Sequence, residues 1–172
     1  TIARVEAGLL LIEVDFFSSK KAMTDQQTYT PYEMGLGRLV SLDKSRFVGQ
    51  RALREEQARG HRRQVVGVEL DWTEVERLYE AAGLPPVVGA TASRTAIPVY
   101  RSGRQIGKAT TTTWSPVLKR MIALATLDRP HYAEGTVVQV EVTIEAVRHR
   151  VGAKVVGTPF FNPARKTTTP PQ

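Results

Sequence analysis

Residues 100–127 constrain the fold more than any other part of this chain. β-type sequence runs into Ser102-Gly103, resumes through Ile106 and four consecutive threonines, breaks at Trp114-Ser115-Pro116, and restarts as an apolar run at 121–127. Threonine and other β-branched residues suit a pleated, half-buried surface, whereas Gly103, Gly107 and Pro116 fall where a ladder must turn or stop. The order strand, hairpin, strand, corner, strand predicts an all-β barrel or a sandwich as host.

The same reading beyond residue 64 adds strands at 65–70, 96–100, 136–142 and 146–157, about six in all, separated by Gly and Pro turns. A helix at 71–83 interrupts them, with Thr73 as N-cap, Glu76 three residues later and Gly83 as its stop. Its apolar stripe Val75, Leu78, Tyr79, Ala82 has helical spacing and reads as packing.

Upstream the character is mixed. Residues 2–17 begin as a short helix and pass into an alternating run that places Glu13 and Asp15 on one strand face, which is expected to be solvated. Residues 18–29 form a polar loop. Thr30-Pro31-Tyr32-Glu33 and Gly35-Leu36-Gly37 make a turn leading into a strand-like 38–42, and a helix at 51–60 ends on Gly60. The change of composition puts a domain boundary at 60–63. The fold class is therefore α+β: a mixed α/β segment at 1–60, a small antiparallel β-barrel of about six strands at 64–166, and a disordered tail at 167–172.

Composition narrows the chemistry. The 172 residues, 41% of them hydrophobic, allow one good core or two small ones. No stretch approaches the roughly 20 apolar residues of a spanning helix, so no membrane partner is expected. With no cysteine, thiolate ligands, thiol nucleophiles and disulfides are excluded, which fits a reducing, cytoplasmic setting. His61, His131 and His149 lie too far apart for a local metal motif, so no metal site is expected. Neither a nucleophile elbow, a phosphate loop nor a dinucleotide glycine motif is present, so no catalytic residue is assigned. The net charge of +7 favours anionic partners. Nucleic acid is an unfavoured one, because aromatics make up 7% and the Lys and Arg residues are dispersed. A start on Thr1 with no signal segment reads as part of something longer.

Six short stretches occur in an order that resembles one family. They are Arg4-Val5-Glu6-Ala7-Gly8-Leu9; Thr30 to Glu33 with Gly35-Leu36-Gly37; Phe47-Val48-Gly49-Gln50-Arg51-Ala52-Leu53; Ile106-Gly107 with Ser115-Pro116; Ile122-Ala123-Leu124-Ala125; and Pro159-Phe160-Phe161. Together they are similar to the C-terminal half of the glycine cleavage system T protein (aminomethyltransferase) family. The resemblance implies that residues 1–60 are a remnant of the first folate-binding lobe and residues 64–166 the C-terminal barrel. It implies tetrahydrofolate as cofactor and transfer to it of a one-carbon unit from a small methyl or aminomethyl donor. It also implies a missing N-terminal half that carries the catalytic aspartate, a lipoyl carrier protein as a further partner, and no activity for residues 1–172 alone.

By the same resemblance the cofactor-binding candidates are Arg4, Trp114 and Arg165. Guanidinium suits a carboxylate or a polar cofactor edge, although Arg4 could equally brace the lobe through Glu6 or the backbone. Trp114 could line the central cavity or fill a barrel corner. Arg165 aligns to within one residue, against Lys166. Leu11-Ile12-Glu13-Val14-Asp15 departs from the T-protein pattern and favours a donor other than that of glycine cleavage. The alternatives are a non-catalytic folate-binding or assembly module and, further off, a basic nucleic-acid-binding β-barrel.

Overall fold

The six strands bury their inward apolar faces by closing around a common interior. The computed structural model describes residues 1–164 and 168. The strands are β1 (Arg63–Leu70), β2 (Ile97–Arg101), β3 (Arg104–Ser115), β4 (Arg120–Asp128), β5 (Val137–Ile144) and β6 (Val147–Val156). They form a closed barrel in the order β1-β4-β3-β2-β5-β6, in which β6 returns to β1 and every pairing is antiparallel. The interior is filled by Val66, Val68, Val99, Leu127, Val140 and Val155, with Ala109, Ala123, Ala125 and Ala153 between them. Each fully buried valine or leucine stabilises the barrel by about 1.5–3 kcal/mol.

β4 is apolar on both faces. Ala123, Ala125 and Leu127 point inward, while Ile122 and Leu124, both fully buried, point outward against Val5. That outer layer is supplied by α1 (Ile2–Glu6), with Leu10, Leu118 and Phe160 around it. The N-terminal segment is thus plated onto the wall that β3 and β4 make. A second helix, α2 (Gln50–Arg59), ends on Gly60 at φ +79, and Nη1 of Arg129 donates to the Arg59 carbonyl at 2.9 Å. A cation at exposed helix carbonyls is favourable there.

The third helix, α3 (Trp72–Ala81), follows β1 directly. Its N-cap is Asp71 and not Thr73: the Asp71 carboxylate accepts from the backbone N–H of Thr73 at 2.9 Å and of Glu74 at 3.2 Å. An aspartate is a capping residue in its own right and adds a negative charge at the positive end of the helix. Of the expected stripe, Val75 is buried, Leu78 and Tyr79 are half-buried, and Ala82 is exposed.

Two expected strands upstream are absent. Residues 38–42 contain a 3-10 turn, Gly37–Leu39, whose bonds Leu39 N to Leu36 O and Val40 N to Gly37 O satisfy the backbone locally. Residues 11–16 fold into a tight loop, with Glu13 at φ 65 and both Val14 N and Asp15 N donating to Leu11 O. A left-handed residue destroys strand alternation, so Glu13 and Asp15 do not share a face.

Thr30-Pro31-Tyr32-Glu33 forms a reciprocal capping box around a single turn: Glu33 N donates to Thr30 Oγ1 at 3.2 Å, and Thr30 N to Glu33 Oε2 at 3.3 Å. Gly35, at φ +71, ends the turn. The Glu33 carboxylate is buried and ion-pairs with Arg62 at 3.0 Å and Arg63 at 3.3 Å, while Thr30 Oγ1 donates to Glu56 Oε1 on α2 at 2.8 Å. One turn therefore ties α2 to the start of β1.

Candidate functional site at the junction of the N-terminal segment and the barrel

The expectation that Asp15 is solvated is overturned: it is 1% exposed and is the hydrogen-bonding centre of the junction. Its position depends on an irregularity in the threonine run. β3 pairs Ala109 with Ala125 and Thr111 with Leu124, leaving Thr110 as an extra residue. Such a bulge turns two successive side chains to the same side of a sheet. Thr110 and Thr111 accordingly point outward together, and each hydroxyl donates to Asp15 Oδ1 at 2.7 Å.

The other carboxylate oxygen is equally occupied. Arg4 Nη1 donates to Oδ2 at 2.6 Å and the Leu11 backbone N–H at 2.7 Å. Arg4 also donates from Nη1 to the Leu9 carbonyl at 2.8 Å and from Nη2 to Thr111 Oγ1 at 3.0 Å. Each oxygen of Asp15 thus takes two donors, the arrangement that a buried carboxylate requires. So engaged, Asp15 is a structural anion with no capacity left to act as a general base. Arg4 Nε is buried and has no hydrogen-bond partner among the described residues.

Arg4 is therefore braced, by Asp15 instead of Glu6. Glu6 turns to the corner after β3, where Ser115 Oγ donates to Glu6 Oε1 at 2.5 Å and accepts from Leu118 N at 3.0 Å. The Ser115-Pro116 corner is thereby fastened to α1. Of the other two candidates, Trp114 is half-buried and packs on Trp72 of α3, ring centroids 4.6 Å apart. It lies in register with Met121, on the opposite face of β3 from Thr111, so it and Arg4 are not brought together. Arg165 lies outside the described residues, as does the expected tail at 167–172 apart from Thr168. Asp15, Thr110 and Thr111 are the site residues that sequence reasoning missed. The signal available for them was the run of four threonines, which breaks the alternation of polar and apolar residues expected of a strand.

Beside this junction the N-terminal segment and the 34–38 turn leave a cleft of about 460 Å³ against the barrel wall, closed by Thr158 and Pro159. Leu9, Leu10, Phe16, Met34, Leu36 and Leu124 supply its apolar surface, and Arg38, Thr158 and backbone groups give it a nearly equal polar one.

Comparison with known proteins bears on what such a junction belongs to. The chain is 35% identical over 137 residues to an aminomethyltransferase of Bacillus pumilus, covering 79% of this chain and 32% of that protein. It is 36% identical over 133 residues to the aminomethyltransferase of Bacillus subtilis, covering 77% and 31%. It thus spans about a third of the length of these relatives. The crystal structure of glycine cleavage system aminomethyltransferase T from Bartonella henselae shares the fold, with a TM-score of 0.65 at 21% identity over 93% of this chain and 37% of that one. Residues 63–162 match the model of the glycine cleavage T-protein C-terminal barrel domain, and the chain belongs to that family.

Proposed function

We propose that this chain is the C-terminal portion of a tetrahydrofolate-dependent one-carbon transferase, an aminomethyltransferase or a demethylase acting on a small donor. The observation that carries this reading is the placement of Arg4. Its guanidinium is fixed by the Asp15 carboxylate at the seam between the N-terminal segment and the barrel, and its Nε is without a partner among the described residues. An arginine held this rigidly binds a polar ligand edge at low entropic cost. When bound, tetrahydrofolate supplies the nitrogen that accepts the one-carbon unit. Arg4 would hold it, with Arg165 as the C-terminal candidate. Trp114, already packed on Trp72, is the least available of the three.

The division of labour follows from the carboxylates. Asp15 is saturated, Asp71 caps α3, and Asp25, Asp43 and Asp128 are exposed. None sits in a closed pocket where proton transfer would be sheltered from water. We therefore place the catalytic aspartate in an N-terminal half of the same protein, assign residues 1–60 to the folate-binding lobe and 64–166 to the barrel, and expect residues 1–172 alone to be inactive. A lipoyl carrier protein and a cytoplasmic setting belong to the same reading.

The test is to supply the N-terminal portion and assay transfer to tetrahydrofolate from amine, methoxy and thioether donors. Turnover that requires tetrahydrofolate supports the reading. Tetrahydrofolate binding without turnover from any donor would favour the non-catalytic folate-binding module instead.

A further inference from the structure

Val48 is fully exposed, the most exposed large apolar side chain among the described residues. It sits on the turn that enters α2, where Gly49 takes φ +89, and it lines an open cleft of about 850 Å³ with Arg46, Arg51, Ala52 and Arg54. Every charged residue in that lining is a cation. No buried carboxylate holds them as Glu33 holds Arg62 and Arg63. Arg46 has no hydrogen bond or ion pair among the described residues, Arg54 gives Nη2 to the neutral Leu42 carbonyl at 2.7 Å, and Arg51 meets Glu55 at 3.6 Å with its own side chain 94% exposed. The first turn of α2 holds no acid, whereas α3 starts with Asp71 and Glu74. The turn is nonetheless held in shape. Gln50 Nε2 donates to the carbonyls of Leu42 at 2.7 Å and Lys44 at 3.3 Å, Leu53 N donates to Gly49 O at 3.0 Å, and Lys44 Nζ lies 4.7 Å from the centre of the Phe47 ring. An apolar tip flanked by arginines on a pre-shaped turn has the anatomy of a protein-binding patch, with an apolar centre, an Arg-rich rim and little conformational entropy to lose.

We propose that this turn is a docking site for an acidic protein segment, one that sets an aliphatic side chain on Val48 and Ala52 and its carboxylates on Arg46, Arg51 and Arg54. Guanidinium forks match carboxylates, and the three cations draw an anionic partner with no competing acid in the lining. Nucleic acid fits less well: Phe47 is the one aromatic residue in the lining, and it is half-buried with Lys44 over its ring, a poor platform for a base. A membrane surface fits less well too, since a single valine inserts little apolar area. The inference does not rest on the folate reading, because this cleft shares no residue with the Arg4–Asp15 cluster.

The probe is a short synthetic peptide with a central leucine flanked by glutamates, titrated into the chain at low salt and followed by backbone amide NMR shifts. Two control peptides carry glutamine for glutamate and glycine for leucine. The probe is expected to shift the amides of Arg46, Val48, Arg51 and Ala52 saturably and to weaken as salt rises. It should bind at least about tenfold more tightly than the glutamine peptide and about threefold more tightly than the glycine peptide. Arg46→Gln combined with Arg51→Gln should abolish the preference for glutamate, and Val48→Ser the preference for leucine, each with the barrel amides unshifted. Equal binding of the three peptides, or preferences that survive these substitutions, would overturn the proposal. So would tighter binding at this face of oligothymidylate, or of vesicles of phosphatidylglycerol and phosphatidylcholine, which would assign it to nucleic acid or to a membrane. Loss of peptide binding when the N-terminal portion is supplied would make the turn part of an internal seam and likewise overturn it.

Discussion

Nη1 of Arg4 lies 2.6 Å from Oδ2 of Asp15, and neither group has significant access to water: the side chains are 12% and 0% exposed. The pair gathers three pieces of the molecule at one point. Arg4 comes from α1, Asp15 from the loop after it, and the Thr110 and Thr111 hydroxyls that complete the cluster come from the bulge in β3. The barrel and the segment that precedes it are joined here through buried charge as well as through the apolar contact of Val5 with Ile122 and Leu124.

The bulge threonines should be separable by mutation. Thr110→Val and Thr111→Val each remove one donor from Asp15 Oδ1 and are expected to cost about 1–3 kcal/mol in urea unfolding. The double variant leaves Oδ1 with no donor from the barrel, so its effect should depart from the sum of the two singles. An outcome within about 0.5 kcal/mol of wild type for both singles would mean that the hydroxyls do not carry the junction.

Ion pairs in the same chain should differ sharply in worth. Glu33 is 2% exposed between Arg62 and Arg63, and Glu33→Ala leaves Arg63, 15% exposed, without its carboxylate, so it is expected to destabilise by about 1–3 kcal/mol. Arg51 and Glu55 pair at 3.6 Å on an exposed helix face, and Glu55→Ala should change stability by no more than about 0.5 kcal/mol. Chemical denaturation of the two variants side by side checks the ordering.

The cap of α3 gives a smaller, local expectation. Asp71→Ala removes the acceptor for Thr73 N and Glu74 N and should cost about 1 kcal/mol, whereas Thr73→Ala should cost less. Amide hydrogen exchange in the first turn of α3 should quicken in the first variant and not in the second.

The barrel was legible because strand patterning is local. The hairpin at Ser102-Gly103, the corner at Pro116 and the apolar run of β4 each announce themselves within a few residues, and family motifs placed them in order. The junction was not legible for the opposite reason. Asp15 looks like the outward member of an alternating strand until Glu13 turns left-handed, and its partners Thr110 and Thr111 lie 95 and 96 residues away. No alternation rule anticipates that an extra residue will place two adjacent threonines on one face. Arg4 was singled out by resemblance, but its partner could not be read, since Glu6 is nearer in sequence and is taken by Ser115. Trp114 was visible as a large residue at a corner, and its packing on Trp72 required knowing that α3 lies over that end of β3.

A double-mutant cycle between Arg4 and Asp15, measured by urea unfolding of Arg4→Ala, Asp15→Ala and the double variant, tests most directly whether this junction is built on their pairing. Removing either partner leaves the other as an uncompensated buried charge, and removing both relieves that penalty. The double variant should therefore be less destabilised than the sum of the singles by about 1.5 kcal/mol or more. Additivity to within about 0.5 kcal/mol would contradict the account, because it would show the two side chains acting independently.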